Sequence, residues 1–252
     1  MIRITVTKSA KQAKSYFSNE LSKGDYYLEN EKCIGTWGGK GAELLNLSGG
    51  IAGKDFYRLC DNMHPTEDKS LTAKTVDNRR VFYDCTFSCP KSVSILYGIT
   101  QDEKILEAFN SAVKSTLAEM EEAMQVRVRT KGRDEDRTTG NMLYGMFNHF
   151  TARPENGKSD IHVHCHVTVF NASYDEVESK WKASQFNQIK TDSPYYQAAF
   201  LNRLACNVKD LGFGIDTRHT GQFEIAGIPK ELIQKFSQRT AAIEQKAKDL
   251  GI

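Results

Sequence analysis

The stretch Ile161-His162-Val163-His164-Cys165-His166-Val167 decides the architecture predicted for this chain. Its histidines alternate with apolar residues, which is the pattern of a β-strand, because successive side chains of a strand point to opposite faces. The three imidazoles are therefore predicted to share one face, with an apolar face behind them. Four of the six histidines of the chain lie between positions 149 and 166. A row of imidazoles backed by an apolar layer indicates a metal site that rests on a core.

The histidine strand is predicted to pair with residues 141–150 in an antiparallel hairpin. The two segments are separated by a stretch that contains Asn156-Gly157, and Asn-Gly is a frequent hairpin turn. If these two are the central turn residues, positions equidistant from them pair, which places His149 opposite His164. A longer, irregular loop is the alternative.

The spacing of the histidines limits which of them can share one ion. Strand residues two apart are separated by about 6.5 to 7 Å, and their imidazoles can converge on an ion at about 2.1 Å. His162 and His166 are about 13 Å apart on such a strand. The pair is therefore 162/164 or 164/166, with His149 as the natural third ligand. Three imidazoles leave coordination positions open for a substrate. Solvated histidines on an exposed sheet face are the alternative.

The remaining sequence predicts a mixture of helices and strands without regular βαβ alternation, which indicates an α+β fold. Strands are predicted at 2–6, 80–88 and 223–225, helices at 9–21, 90–97, 102–126, 194–211 and 229–250, and loops at 35–53, around a short helix, and at 127–137.

The composition is that of a globular protein large enough for a substantial core. The chain has 252 residues, of which 39% are hydrophobic and 26% charged, and its net charge is +2. We expect one domain over 1–252, cut from the N-terminal part of a longer protein. No apolar window is long enough for a membrane span, and no secretory leader opens the chain. The six cysteines lack zinc-site spacing and predict reduced core residues of a cytoplasmic protein.

Tyrosines near the N-terminus add a second chemistry to the metal site. Tyr16 lies on the first predicted helix, and Tyr26 and Tyr27 follow it. A phenol can attack phosphorus and hold a cleaved strand as an ester, but with a pKa near 10 it needs a base or a cation. Together with the histidines, these tyrosines suggest a metal-assisted tyrosine nuclease. Packing within the core is the alternative for each of them.

Asp84 is a carboxylate in the middle of a strand predicted to be buried on both faces. A buried carboxylate needs a partner. It is therefore either an acceptor that orients a metal-bound histidine, or a base, or one half of a structural ion pair with an arginine or lysine.

A series of motifs, taken in chain order, resembles the MobF-class conjugative relaxases, which are HUH (His-hydrophobic-His) endonucleases. The motifs are Ser15-Tyr16-Phe17, Asp25-Tyr26-Tyr27, Gly39-Lys40-Gly41-Ala42-Glu43, Asp84-Cys85-Thr86-Phe87-Ser88-Cys89-Pro90-Lys91-Ser92-Val93-Ser94, Asn148-His149-Phe150-Thr151-Ala152-Arg153 and His164-Cys165-His166-Val167. The match extends to about residue 240, and the Thr-Phe-Ser-x-Pro-Lys-Ser-Val-Ser string joined to the histidines is its most specific part.

The resemblance implies roles for individual residues. The metal ligands of the family fall on His149, His164 and His166, which favours the 164/166 pair over His162. The acidic residue beside them falls on Asp84. The first nucleophile falls on Tyr16 and the second tyrosine on Tyr26 or Tyr27, of which we prefer Tyr26. Many relatives carry two consecutive tyrosines at the first position, whereas in this chain Tyr16 is followed by Phe17.

The resemblance also implies a fold, a cofactor and partners. The fold is a central antiparallel sheet that carries the histidines, with flanking helices and a C-terminal helical lid over bound DNA. The cofactor is a divalent ion, Mg or Mn by availability, with Ni, Co or Zn compatible with imidazole ligands. The partners are single-stranded and hairpin DNA at an origin of transfer, relaxosome accessory proteins and a coupling protein. The protein is expected to act as a monomer in a bacterial donor cell, and relatives usually continue into a helicase.

Basic residues predict contacts with the DNA backbone. The candidates are Lys40, Arg127, Arg129, Arg153 and Lys182. Lys40 and Arg153 stand out because they flank the tyrosine and histidine segments, whereas a solvated surface is the ordinary alternative for each.

The predicted activity is strand-specific nicking and rejoining at an origin of transfer through a 5′-phosphotyrosyl intermediate. Three other functions would use parts of the same set of residues. A rolling-circle replication initiator would use the same chemistry at another origin, a non-haem iron oxygenase would use the histidines with a carboxylate, and a DNA-binding module would hold a structural metal without turnover.

Overall fold

A five-stranded antiparallel sheet lies at the centre of the computed structural model, which describes residues 1–22, 35–76, 78–154, 157–218 and 221–238. The strands in spatial order are β1 (Ile2–Thr7), β3 (Phe82–Ser88), β7 (Ile161–Phe170), β6 (Tyr144–Thr151) and β2 (Thr36–Gly38). Every neighbouring pair is antiparallel. The predicted α+β class with a central antiparallel sheet is therefore confirmed.

Helices and three smaller sheets surround the central sheet. The helices are α1 (Ala10–Tyr16), α2 (Lys40–Leu44), α3 (Gly53–Cys60), α4 (Lys91–Thr100), α5 (Glu103–Glu122), α6 (Asn187–Thr191), α7 (Ser193–Asp210) and α8 (Lys230–Lys235). The smaller strands are β4 (Gln125–Thr130), β5 (Arg133–Thr138), β8 (Ser173–Asp175), β9 (Lys180–Lys182), β10 (Ser184–Gln185), β11 (Ile215–Thr217) and β12 (Phe223–Ile225). They pair as β10-β4-β5, β8-β9 and β11-β12.

One face of the central sheet is mostly apolar and packs on α5 and α7, and Asn148 of β6 donates a hydrogen bond to Asn110 of α5 there. Cys85 and Phe87 of β3 share this core with Cys165 of β7. The ring of Phe200 on α7 lies 5.2 Å from that of Phe87 and 6.0 Å from that of Phe109 on α5. The predicted helical periodicity of α5 accounts for this contact, because its apolar positions are the buried ones.

The opposite face of the sheet is apolar at one end of the strands and polar at the other. At one end, Phe82 and Phe170 join Phe17 and Phe56 in a second apolar cluster beneath α1 and α3. The other end carries the histidines of β7. Aromatic packing thus fixes α1 at the border between a core and a polar site.

The glycine-rich segment 35–53 is explained by a close approach between backbones. Gly39 has a φ of +86°, and a Cβ there would lie 2.2 Å from the carbonyl oxygen of Met142. A Cβ at Gly41 would lie 2.7 Å from the same oxygen, which accepts a hydrogen bond from the Gly41 amide. These glycines hold α2 against the beginning of β6.

The prediction of a loop at 127–137 is wrong, because this segment forms the β4-β5 hairpin. Val126 and Val128 are buried while Arg127 and Arg129 are exposed, so a strand alternation lies within the charge-rich sequence. The turn residues Lys131 and Gly132 have φ values of +50° and +81°, as hairpin turns of this kind require.

Two predicted helices end earlier than expected. The 102–126 helix stops at Glu122, since Gln125 already begins β4. In the predicted 229–250 helix, α8 ends at Lys235, and residues 239–252 lie outside the described part of the chain. Within the described residues, no helix is both long enough and apolar enough to cross a membrane.

Candidate active site

The histidines of β6 and β7 lie on one face of the central sheet, as predicted. On β7, Val163 and Cys165 belong to the buried apolar face, so His162, His164 and His166 point the other way. The register of β6 with β7 pairs His149 with His164. That prediction is confirmed, although Asn156 of the predicted turn lies outside the described residues.

Three of the imidazole rings form a compact triangle. The ring centres of His149 and His164 are 5.4 Å apart, those of His149 and His166 5.5 Å, and those of His164 and His166 5.1 Å. The ring of His162 stacks on that of His164 at 5.0 Å, one step further along the strand from His166.

The tautomer of His164 is fixed by its own strand. Its Nδ1 lies 2.8 Å from the carbonyl oxygen of His162, and a carbonyl can only accept, so Nδ1 carries the proton. Nε2 is then the nitrogen with a free lone pair. Burial holds the pKa of His164 well below its usual value, and the neighbouring His162 adds to this effect. A neutral imidazole is the state that binds metals.

Asp84 contacts His166, one of the three rings of the triangle. The Nδ1 atom of His166 lies 2.9 Å from Oδ2 and 3.1 Å from Oδ1 of this buried carboxylate. Such a partner orients an imidazole through Nδ1 and leaves Nε2 for a metal. Between the alternatives left open by the sequence, the observed contact is with a histidine rather than with an arginine or lysine.

Tyr16 reaches the same carboxylate from α1. Its hydroxyl donates to Oδ2 of Asp84 at 2.7 Å and lies 3.1 Å from Nδ1 of His166. Burial raises the pKa of the Tyr16 phenol, the negative charge of Asp84 raises it further, and the nearby Arg153 guanidinium lowers it. The phenol is therefore neutral at ordinary pH and already hydrogen-bonded to a proton acceptor.

Phe17 has a different environment from its neighbour. Its ring stacks on that of Phe56 at 4.3 Å and is 8% exposed. A π-helical turn, Phe17–Leu21, begins at this residue and also buries Leu21. An aromatic ring at position 17 thus belongs to the core whether or not it carries a hydroxyl, and Tyr16 is the phenol that α1 presents to the histidines.

Of the predicted DNA contacts, only Arg153 is brought to the site. It follows β6 two residues after Thr151, and its Nη2 atom lies 3.6 Å from an oxygen of Glu20. Both side chains are largely exposed. The guanidinium of Arg153 lies near enough to the Tyr16 phenol to lower its pKa.

The other predicted contacts lie elsewhere on the molecule. Arg127 and Arg129 are exposed on β4, outside the central sheet. Lys40 begins α2 next to Met142, at the end of β6 away from His149. Lys182 lies 3.0 Å from Asp175 and 2.6 Å from Glu178, so its charge is engaged in an ion-pair cluster. The predicted second tyrosines, Tyr26 and Tyr27, lie outside the described residues.

The chemistry and spacing of the triangle suit a divalent ion. An ion about 2.1 Å from a ring nitrogen is about 3.2 Å from the ring centre, so rings around one ion have centres about 4.5 to 5.6 Å apart. The three observed separations fall in this range. Among the described residues, no three His, Cys, Asp or Glu side chains are already arranged to hold an ion. By chemistry and spacing, His149, His164 and His166 are the candidate ligands.

Thr86 is a site residue that the sequence did not single out. Its hydroxyl lies 3.2 Å from Nδ1 of His166 and 3.5 Å from Oδ1 of Asp84. The signal was its position two residues after Asp84 on the same strand, which places both side chains on one face.

The fold and the site define a relaxase of the HUH type. The chain belongs to the TrwC relaxase family, whose model matches residues 10–251. The resemblance to MobF-class relaxases is thereby confirmed.

Two curated relatives and two solved structures illustrate the similarity. Multifunctional conjugation protein TraI of Escherichia coli is 31% identical over 259 aligned residues, and TraI of strain K12 is 29% identical over 254. Each alignment covers 97% of this chain but only 14% of the relative. The conjugative relaxase TrwC in complex with oriT DNA matches in a metal-bound structure (TM-score 0.89, 30% identity, all of this chain and 84% of that one). It also matches in a copper-bound structure (TM-score 0.88, 30% identity, all of this chain and 85% of that one).

Proposed function

We propose that this chain nicks and rejoins one strand of DNA at an origin of conjugative transfer, with Tyr16 as the nucleophile. The observation that carries the proposal is the hydrogen bond of 2.7 Å from the Tyr16 hydroxyl to Asp84, beside three clustered imidazoles. A phenol held by a base beside a cation-binding group is the arrangement that nucleophilic attack on phosphorus requires. Relatives solved in complex with oriT DNA support the choice of substrate.

The reaction follows from the positions of these groups. The Tyr16 oxygen attacks the scissile phosphate while its proton passes to Oδ2 of Asp84. A bond forms between the phenolic oxygen and phosphorus, and the bond from phosphorus to the 3′ oxygen breaks. The 3′ oxygen takes a proton from solvent and leaves as a hydroxyl, while Tyr16 keeps the 5′ phosphate of the downstream strand. The ester retains the energy of the broken bond, so the attack can be reversed by a 3′ hydroxyl.

His149, His164 and His166 are proposed to hold the divalent ion. An ion bound there supplies positive charge next to the phosphate and the leaving oxygen. Imidazole ligands suit Mn, Ni, Co or Zn, whereas cellular supply favours Mg or Mn. The metal-bound and copper-bound structures of TrwC show that a relative binds a metal ion.

Arg153 is proposed to contact the phosphate next to Tyr16. The raised pKa of Tyr16 means that the phenolate needs positive charge as it forms. Arg153 is the cation that lowers this pKa, and its exposed side chain is paired with Glu20 by a long contact that a phosphate could replace.

The wider biology is proposed from the family. The chain would act as a monomer in the cytoplasm of a donor cell, with relaxosome accessory proteins and a coupling protein as partners. Tyr26 or Tyr27 would perform the second strand transfer. This chain spans about a seventh of the TraI relatives, so other activities of those proteins are not attributed to it.

Cleavage and rejoining of synthetic single strands test the proposal. The probe is a pool of end-labelled oligonucleotides that carry candidate transfer origins, each with an inverted repeat before the nick. We expect Mg²⁺- or Mn²⁺-dependent cleavage, a fragment linked to the protein through its 5′ phosphate, and joining of that fragment to an added 3′-hydroxyl strand. Cleavage that leaves no protein-linked fragment would contradict the proposal. Preference for rolling-circle replication origins in the same pool would reassign the chain to a replication initiator.

A further inference from the structure

Polar side chains of strand β3 lie on the same face of the sheet as the histidines of β7. Thr86 pairs directly with His166 in the register of β3 with β7, and Asp84 lies one step before it on the same face. Cys85, which lies between them, and Phe87, which follows Thr86, point to the other face of the sheet and are fully buried in the core there. Because β3 lies between β1 and β7, the backbone at Thr86 is held by a neighbouring strand on each side.

The Thr86 hydroxyl lies between the two groups that define the site. Its Oγ1 atom is 3.2 Å from Nδ1 of His166 and donates to Oδ1 of Asp84 at 3.5 Å. The other carboxylate oxygen, Oδ2, accepts from Tyr16. Asp84 is thus approached by a different hydroxyl at each of its oxygens.

A carboxylate held at one oxygen alone can turn, because the terminal torsion of aspartate is broad. At Oδ1, the Thr86 hydroxyl adds to the contact with Nδ1 of His166, which lies 3.1 Å from the same oxygen, and further restricts that rotation. Threonine suits this task, since its branched side chain is stiff on a strand. The same hydroxyl limits rotation of the His166 ring, whose Nδ1 must stay with Asp84 if Nε2 is to face a metal.

We propose that Thr86 is a positioning residue, whose hydroxyl holds Asp84 and His166 in the orientation that serves Tyr16 and the metal. The inference rests on the proposed function, which it deepens. Thr86 touches neither the DNA nor the ion. It keeps Oδ2 aimed at the Tyr16 proton and the Nδ1–H of His166 aimed at the carboxylate.

A buried threonine on the same face, Thr168, provides a control. Thr168 lies two residues after His166 on β7, and its hydroxyl donates to the carbonyl oxygen of Gly145 at 3.3 Å. That hydroxyl serves the backbone, so a valine there should leave the reaction unchanged.

The test compares Thr86→Val, Thr86→Ser and Thr168→Val in single-turnover formation of the covalent adduct at saturating origin DNA. We expect Thr86→Val to slow the adduct step by about 10- to 100-fold, the usual effect of losing a group that orients a ligand. Its affinity for DNA should not change. Thr86→Ser, which keeps the hydroxyl, should retain most of the rate, as should Thr168→Val.

Two results would overturn the inference: Thr86→Val at the wild-type rate, or Thr86→Ser as slow as Thr86→Val. The second would show that the methyl group matters rather than the hydroxyl. If Thr86→Val fails to fold, the comparison of Thr86→Ala with Thr86→Ser carries the same test.

The tautomer of His166 gives a readout that needs no DNA. Long-range ¹⁵N NMR at fixed pH should show Nδ1–H as the dominant form in the wild-type protein and in Thr86→Ser. A larger share of Nε2–H is expected in Thr86→Val, and an unchanged share contradicts the inference. Absence of any adduct in the wild-type protein would instead refute the proposed function, so the two failures are distinguishable.

Discussion

The hydroxyl of Tyr16 donates to Oδ2 of Asp84 at 2.7 Å, across 68 residues of sequence. This bond joins the end of α1 to the middle of β3, and Phe17 fixes the helix by packing against Phe56. The fold itself therefore places the proton acceptor next to the proposed nucleophile. Such preorganisation lowers the cost of reaching a reactive geometry.

Replacement of Asp84 tests its proposed role as the base. Asp84→Asn keeps the shape and can still accept from His166, but it cannot take up the Tyr16 proton. We expect formation of the covalent adduct to slow by about 10²- to 10⁴-fold, as for loss of a general base. DNA binding in gel-shift assays should be retained. An adduct rate equal to that of the wild type would assign Asp84 a structural role only.

Calorimetric titration with Mn²⁺ tests the choice of ligands. We expect His164→Ala to lose most of its affinity, because His164 belongs to the triangle of rings and has its Nε2 free. His162→Ala serves as the matched control on the same strand and should retain most of the affinity. Equal losses in the two variants would overturn the assignment.

Arg153 and Lys182 were both candidate DNA contacts, and their environments now separate them. Arg153 is exposed next to Tyr16, whereas Lys182 is committed to Asp175 and Glu178. We expect Arg153→Gln to weaken origin binding and to reduce the slope of log K against log salt by about 1. Lys182→Gln should lower the melting temperature and leave the salt slope unchanged. The reverse pattern would contradict this distinction.

The buried phenol of Tyr144 should make the free energy of unfolding fall at alkaline pH. Burial raises the pKa of its phenol from 10.0 to about 12, and the charge of Glu121 contributes. The folded protein therefore keeps this proton above pH 10, where the unfolded chain loses it. The resulting stability is complete below pH 10 and is lost as the pH rises toward 12, by roughly 2 kcal/mol. Urea titrations should show a steeper alkaline loss in the wild type than in Tyr144→Phe, and parallel curves would contradict the expectation.

The sequence was most informative where one simple rule decided the structure. Alternation of histidines with apolar residues predicted the strand and its face, because one face of that strand is buried, and the Asn156-Gly157 turn predicted the pairing of His149 with His164. The same rule was missed at 127–137, where Val128 is the only apolar side chain and charges mask the alternation that begins at Val126. Helix ends were also misjudged, since an amphipathic pattern continues smoothly from α5 into β4.

The site itself could be predicted only in part. Spacing alone left the histidine pair open, and the roles of Tyr16 and Asp84 came from the resemblance to a family. Thr86 was missed because a threonine on a strand is ordinary, and only the three-dimensional register brings its hydroxyl to His166. The sign of its charge did not reveal that Lys182 pairs with the buried Asp175.

Mapping the covalent adduct tests the central claim most directly. Wild-type protein and Tyr16→Phe would be incubated with Mn²⁺ and origin oligonucleotides, digested, and analysed by mass spectrometry for a nucleotide-bearing peptide. The account predicts an adduct on Tyr16 in the wild type, and no initial adduct in Tyr16→Phe, which should still bind the DNA. An adduct at wild-type yield in Tyr16→Phe would contradict it and would move the nucleophile to another tyrosine.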